Sequence, residues 1–173
     1  MQKTALIIID VQNDYFPQGA FPLADTDSTV AAIELAIKKA QNADIPVVIV
    51  QHIADANAGV APFFNPGTVG ADVHPRILQL APEAPIIVKH YADSFEQTPL
   101  AETLAQLEVK ELILCGMMTQ NCVTHTALSR EADKYQSVTV LTDASTTVSP
   151  VLHAIALHAL STRVRLKPVA AMF

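Results

Sequence analysis

A chain of 173 residues suits one domain, since domains run to about 100–200 residues, and 50% hydrophobic against 16% charged excludes a disordered chain that never offsets its ordering entropy. The formal net charge of -6 removes the cationic footprint that a phosphate backbone demands, so no nucleic acid partner is expected. The apolar runs fall short of the about 18 residues that span a membrane, and the start MQKTALIIID is too short for a signal-peptide core, so no membrane partner and a cytoplasmic location are expected.

Thr4 to Asp10 is a short, continuously apolar run of the kind that forms a strand covered on both faces. Asp27 to Asn42 then places Val30, Ile33, Ile37 and Ala40 at helical spacing behind the capping candidates Asp27 and Ser28. Pro46 to His52 reads as the second strand. The stretch from Ile53 to Val73, with two prolines and three glycines, breaks the rhythm and reads as a functional loop or lid, with Phe63 and Phe64 as lid residues or subunit anchors. Pro85 to Lys89, Glu111 to Gly116, Ser137 to Thr142 and Thr162 to Leu166 complete six strands, with helices at Pro99 to Leu107, Asn121 to Tyr135 and Pro150 to Leu160. This alternation predicts an α/β fold: a doubly wound, six-stranded, mostly parallel sheet with helices on both faces, in a single domain over residues 1–173. A mean hydropathy of +0.30 is high for a soluble monomer and suggests a homo-oligomer, a dimer or tetramer.

In open α/β sheets ligands bind outside the carboxyl ends of the strands. Strand one ends in Asp10, strand two in Gln51 and His52, strand three in Lys89, and strand four in Gly116 followed by MMTQNC. Cys122 falls where the next helix begins, and oriented N–H groups there favour a thiolate. Lys89 would add a full cation, Asp10 would act as general acid and base, and the same helix start offers main-chain donors to an oxyanion. Each residue alone has a plain structural reading, as Cys115 does inside LILCG; the combination is what carries information.

DVQNDYF at Asp10 to Phe16, KHYADSF at Lys89 to Phe95 and CGMMTQNCVTHTA at Cys115 to Ala127 resemble, in order, the signatures of the isochorismatase-like cysteine hydrolases. TDAST at Thr142 to Thr146 is similar to that family's acidic segment after strand five. The resemblance implies an Asp-Lys-Cys triad of Asp10, Lys89 and Cys122. It also implies a cis peptide at Met117–Met118 that aims the Met118 and Cys122 amides at a developing oxyanion.

The nicotinamidase branch of that family carries Asp-x-His and a second His for a metal, whereas this chain has Val50-Gln51-His52 and then His74, so no metal is expected. The first strand lacks a Gly-rich phosphate cradle, so no cofactor is expected, and an FMN carrier is disfavoured. Asn13, Phe16, His52, Tyr91, Phe95, Met117, Thr119 and His125 are candidates to line a pocket for a small, flat, amide-bearing substrate. His153 and His158 read as helix residues without a role. The expected activity is hydrolysis of a C–N bond of a small amide through a covalent acyl-enzyme. The alternatives are an isochorismatase-type ether hydrolase, a nicotinamidase-like amidase, and a non-catalytic binding scaffold for a small molecule or partner on the same fold.

Overall fold

The computed structural model describes residues 3–173. Six strands, β1 (Thr4–Ile9), β2 (Val47–His52), β3 (Ile86–Lys89), β4 (Glu111–Met117), β5 (Ser137–Thr146) and β6 (Arg165–Lys167), form one sheet. Their order is β3-β2-β1-β4-β5-β6, and every neighbouring pair is parallel. β1 shows why the strand runs are continuously apolar: its alternate residues feed two cores. Leu6 and Ile8 join Ile49 and Ile113 on one face, under Val30, Ile33 and Ile37 of α1 (Thr26–Asn42), with Ile77 of α2 (Pro75–Leu80). Ala5, Ile7 and Ile9 join Val48, Val50, Leu112 and Leu114 on the other, under Leu100 and Leu104 of α3 (Leu100–Gln106). α4 (Thr124–Ala127) and α5 (Pro150–Leu160) contribute Ala127 and Leu160 to this second face, and Val169 of α6 (Val169–Met172) returns to the first. Among the described residues no helix is long and apolar enough to cross a membrane.

The long helix expected from Asn121 to Tyr135 does not form. A π-helical turn at Thr119–Val123 leads into the four-residue α4, and a 3-10 turn follows at Ala132–Lys134. Hydroxyl side chains claim the backbone here: Thr124 Oγ1 donates to Thr119 O at 2.6 Å, and Ser129 Oγ accepts from Glu131 N at 3.2 Å. α1 likewise starts without the expected Asp27 or Ser28 cap, because the chain enters it through Asp25 in the left-handed region. β6 begins at Arg165 rather than Thr162, since the turn that closes α5 uses Arg163 N and Val164 N, both donating to Leu160 O.

β5 runs to Thr146, so the TDAST segment lies within the strand rather than after it. Pairing with β4 shifts register between Leu114 and Gly116. Gly116 has φ +122°, and a Cβ there would lie 2.0 Å from Ile9 O, so only glycine passes. Gly116 is the register partner of Ile9, the residue before Asp10.

Candidate active site

The order in which strands are added across the sheet reverses at β1: β2 pairs on one side and β4 on the other. This is the switch point at which α/β sheets open a crevice. Asp10 leaves β1 with φ 51°, a left-handed conformation uncommon outside glycine, and its carboxylate is fully buried. His52 and Lys89 are register partners at the ends of β2 and β3, so their side chains emerge together on one face. Beyond β4 the Met117–Met118 peptide is cis, and the π-helical turn brings in Cys122, which is 3% exposed.

These elements converge on the Lys89 ammonium, which is fully buried. Its Nζ lies 2.8 Å from Asp10 Oδ2, 2.9 Å from His52 Nδ1, 3.0 Å from Tyr91 O and 3.2 Å from Cys122 Sγ. An ammonium has three hydrogens and cannot serve four acceptors at once. His52, Tyr91 O and Cys122 lie in hydrogen-bonding geometry, while Asp10 is ion-paired and neither of its oxygens has a hydrogen-bond partner. Burial works against the lysine charge, but Asp10 and Cys122 outweigh it and hold the amine above its ordinary range.

Burial, reinforced by the Asp10 charge, pushes the Cys122 thiol up, and Lys89 only partly opposes this. The expectation of a thiolate stabilised at a helix start is therefore reversed: the turn is short, the sulfur is enclosed, and a carboxylate is next to it. The resting group is a thiol beside an unbonded carboxylate.

The imidazole of His52 is held from behind. Gln12, fully buried, accepts from His52 N at 2.8 Å through Oε1 and donates through Nε2 to His52 O at 2.8 Å and Ala71 O at 2.7 Å. Burial and the Lys89 charge lower the His52 pKa to about 4. The ring is then neutral near pH 7, and a hydrogen accepted at Nδ1 assigns its own proton to Nε2.

A roof of aromatics covers the centre. Phe64, buried at φ 61°, donates its N–H to Asp14 Oδ2 at 2.7 Å and accepts from Ala54 N at 2.9 Å. Its ring centroid is 4.5 Å from that of Tyr15 and 6.0 Å from that of His52. The Tyr15 phenol is pushed up by burial and then by the Asp10 charge. Phe63 stacks on Tyr15 and Phe21 in the same cluster.

The structure brings Asp10, Lys89, Cys122 and His52 into contact, with Met118 and Thr119 on the turn beside the sulfur. Thr119 is fully buried, and its hydroxyl pairs with His153 Nδ1 at 2.8 Å, while His153 Nε2 reaches Thr142 O at 3.1 Å. Tyr91 supplies its carbonyl and leaves its ring half-exposed. The others lie elsewhere. Asn13 donates to Val69 O, and Phe16 stacks on His74 at 4.1 Å, both lining an outer cleft of about 640 Å³ that also includes Asp14 and Gly70. Phe95 packs in the second core near Tyr135, Met117 is buried in the first, and His125 is exposed and bonds Asn121 O. Sequence reasoning missed Gln12, Tyr15 and His153. Gln12 carried a signal, as a polar residue directly after an apolar strand; His153 acts through contacts that no spacing reveals.

Asp10, His52 and Cys122 carry donor atoms within 4.8 Å of one another, a spacing a divalent cation would accept. Lys89 Nζ already contacts all three, so a metal there would meet a buried ammonium. The residues present fit an ammonium and not a metal ion.

A parallel α/β sheet with an aspartate, a lysine and a cysteine in contact at its switch point defines a class of hydrolase-like proteins. The chain belongs to the isochorismatase domain family, whose profile matches residues 4–168. It is 40% identical over 126 residues to the uncharacterized isochorismatase family protein YddQ of Bacillus subtilis (strain 168), covering 73% of this chain and 68% of that one. It is 29% identical over 178 residues to the nicotinamidase of Escherichia coli (strain K12), covering 83% of each. Among solved structures, an isochorismatase from Pseudomonas putida KT2440 superposes with a TM-score of 0.85 at 27% identity, covering 98% of this chain and 90% of that one.

Proposed function

We propose that this hydrolase-family chain cleaves the C–N bond of a small amide through an acyl-thioester on Cys122. The observation that carries this reading is a buried cysteine thiol in contact with an ammonium and next to a carboxylate whose two oxygens are unbonded. Asp10 takes the thiol proton as Sγ adds to the amide carbonyl. The oxyanion is met by the Met118 and Cys122 amides. Asp10 then protonates the departing nitrogen as the C–N bond breaks. A water loses a proton to Asp10 and adds to the thioester; the C–S bond breaks, the acid leaves and the thiol is restored. Lys89 remains an ammonium throughout, offsetting the negative charge that passes between carboxylate and sulfur. The similarity to a nicotinamidase supports an amide substrate, and the closed aromatic roof implies that the loop from Ala54 to Phe64 moves to admit it.

The test is turnover of a panel of small primary and cyclic amides, nicotinamide included, read as released ammonia or ring-opened acid. Cys122→Ala and Asp10→Asn should each lose at least about a hundredfold in kcat on any amide the wild type cleaves. Full turnover in Cys122→Ala would overturn the reading. An absence of turnover across the panel, with no covalent labelling of Cys122 by activated esters, would favour the binding scaffold, to which a thiol pushed up by burial also corresponds.

A further inference from the structure

The orphaned carboxylate of Asp10 needs a physical explanation. A buried carboxylate 2.8 Å from an ammonium ordinarily takes a charge-assisted hydrogen bond, which is shorter and stronger than a neutral one. Here it takes none, although both oxygens are sealed from water. The count at Lys89 explains this. Its three hydrogens are matched by His52 Nδ1, Tyr91 O and Cys122 Sγ, which lie in hydrogen-bonding geometry, and Asp10 is the fourth acceptor.

Of the three competitors, Tyr91 O is backbone and Cys122 is the nucleophile, so His52 is the one side chain whose role is open. Its position is fixed on both sides. The register of β2 and β3 sets it beside Lys89, and Gln12 clamps its backbone N–H and carbonyl. We infer that His52 is a positioning residue that takes one Lys89 hydrogen and so keeps Asp10 free of a directed hydrogen bond, preserving it as a base. This rests on the proposed cysteine-hydrolase reading and deepens it. Because burial holds the thiol protonated, attack needs a carboxylate that is still basic, and a fully hydrogen-bonded Asp10 would be a weaker one. The imidazole is committed to the lysine.

The titratable groups facing Asp10 are Lys89 from β3, His52 from β2, Cys122 from the π-helical turn and Tyr15 from the segment after β1, with Asp14 behind Tyr15 and His90 beside His52. Only Lys89 donates to this set with a formal charge. Removing His52 as an acceptor leaves three acceptors for three hydrogens, and the hydrogen it releases goes to Asp10 Oδ2.

The experiment is hydrolysis of p-nitrophenyl acetate by the full chain, with kcat and KM measured against pH for wild type, His52→Leu, His52→Asn and Cys122→Ala. In His52→Leu, kcat should fall about threefold to tenfold with little change in KM, and the acid limb of kcat should move down by about half a unit to one unit. His52→Asn, whose amide oxygen is able to accept from Lys89, should restore both. If His52→Leu does not fold, His52→Ala with added imidazole is read in the same way. An acid limb that stays in place or moves up overturns the inference; upward movement would mean that the ring merely props Lys89 against Asp10. Hydrolysis that survives in Cys122→Ala sinks the cysteine-hydrolase reading itself, whereas its loss there with no shift in His52→Leu sinks this inference alone.

Discussion

At the residue scale the centre divides charge unevenly. Lys89 keeps its proton, Cys122 keeps its proton through burial, and Asp10 is ion-paired without a hydrogen bond. The carboxylate therefore raises the energy of the thiolate while being, in the proposed reaction, the group that receives the thiol proton. The sign for Asp10→Asn follows: removing the negative charge eases ionisation of Cys122 and removes the base. Iodoacetamide alkylation of Cys122 should show a wild-type midpoint above the ordinary thiol value of about 8.5. In Asp10→Asn that midpoint should move down while turnover is lost. Cys115, fully buried and also pushed up by burial, serves as the internal control. An unchanged or higher midpoint in Asp10→Asn would contradict this charge assignment.

At the element scale the loop between β2 and α2 is the roof, and one carboxylate holds it. Asp14 accepts from Phe64 N at 2.7 Å and from Ala20 N at 3.1 Å, tying the Phe64 turn to the segment after β1. Gly70 packs so tightly there that a Cβ would fall 2.0 Å from Asp14 Oδ1. Asp14→Ala removes the clamp without touching the triad. Alkylation of Cys122 at fixed pH should then quicken by about fivefold or more, with Cys115 unchanged, because local opening governs access to an enclosed group. Equal rates in the two proteins would show that the roof does not control access. The loop was legible in sequence as a break in the strand-helix rhythm, with Phe63 and Phe64 read as lid residues or subunit anchors; the structure packs both rings against Tyr15. Its anchor was not, because Asp14 acts on a backbone amide 50 positions away. The broken helix after Cys122 escaped for a related reason: the hydroxyls of Thr124 and Ser129 bond backbone groups, which an apolar periodicity cannot register.

At the scale of the whole molecule, the parallel sheet buried on both faces was written in the apolar runs; the ends of two runs placed Asp10 and Lys89, and the turn after the fourth placed Cys122, at the edge where the structure brings them together. His52 appeared as a strand ending, but its partner depends on the register of β2 against β3, which sequence does not print. Gln12 and His153 work from behind the reacting groups, the first on the backbone of His52 and the second on Thr119, so their chemistry exists only once four strands and two turns have met. The central claim is that Cys122 forms a covalent acyl-enzyme within this assembly. The most direct measurement is the mass of the protein quenched during turnover of p-nitrophenyl acetate, followed by peptide mapping. The account predicts one acetyl group on Cys122, absent in Cys122→Ala. Turnover without an adduct on Cys122, or an adduct that persists in Cys122→Ala, would contradict it.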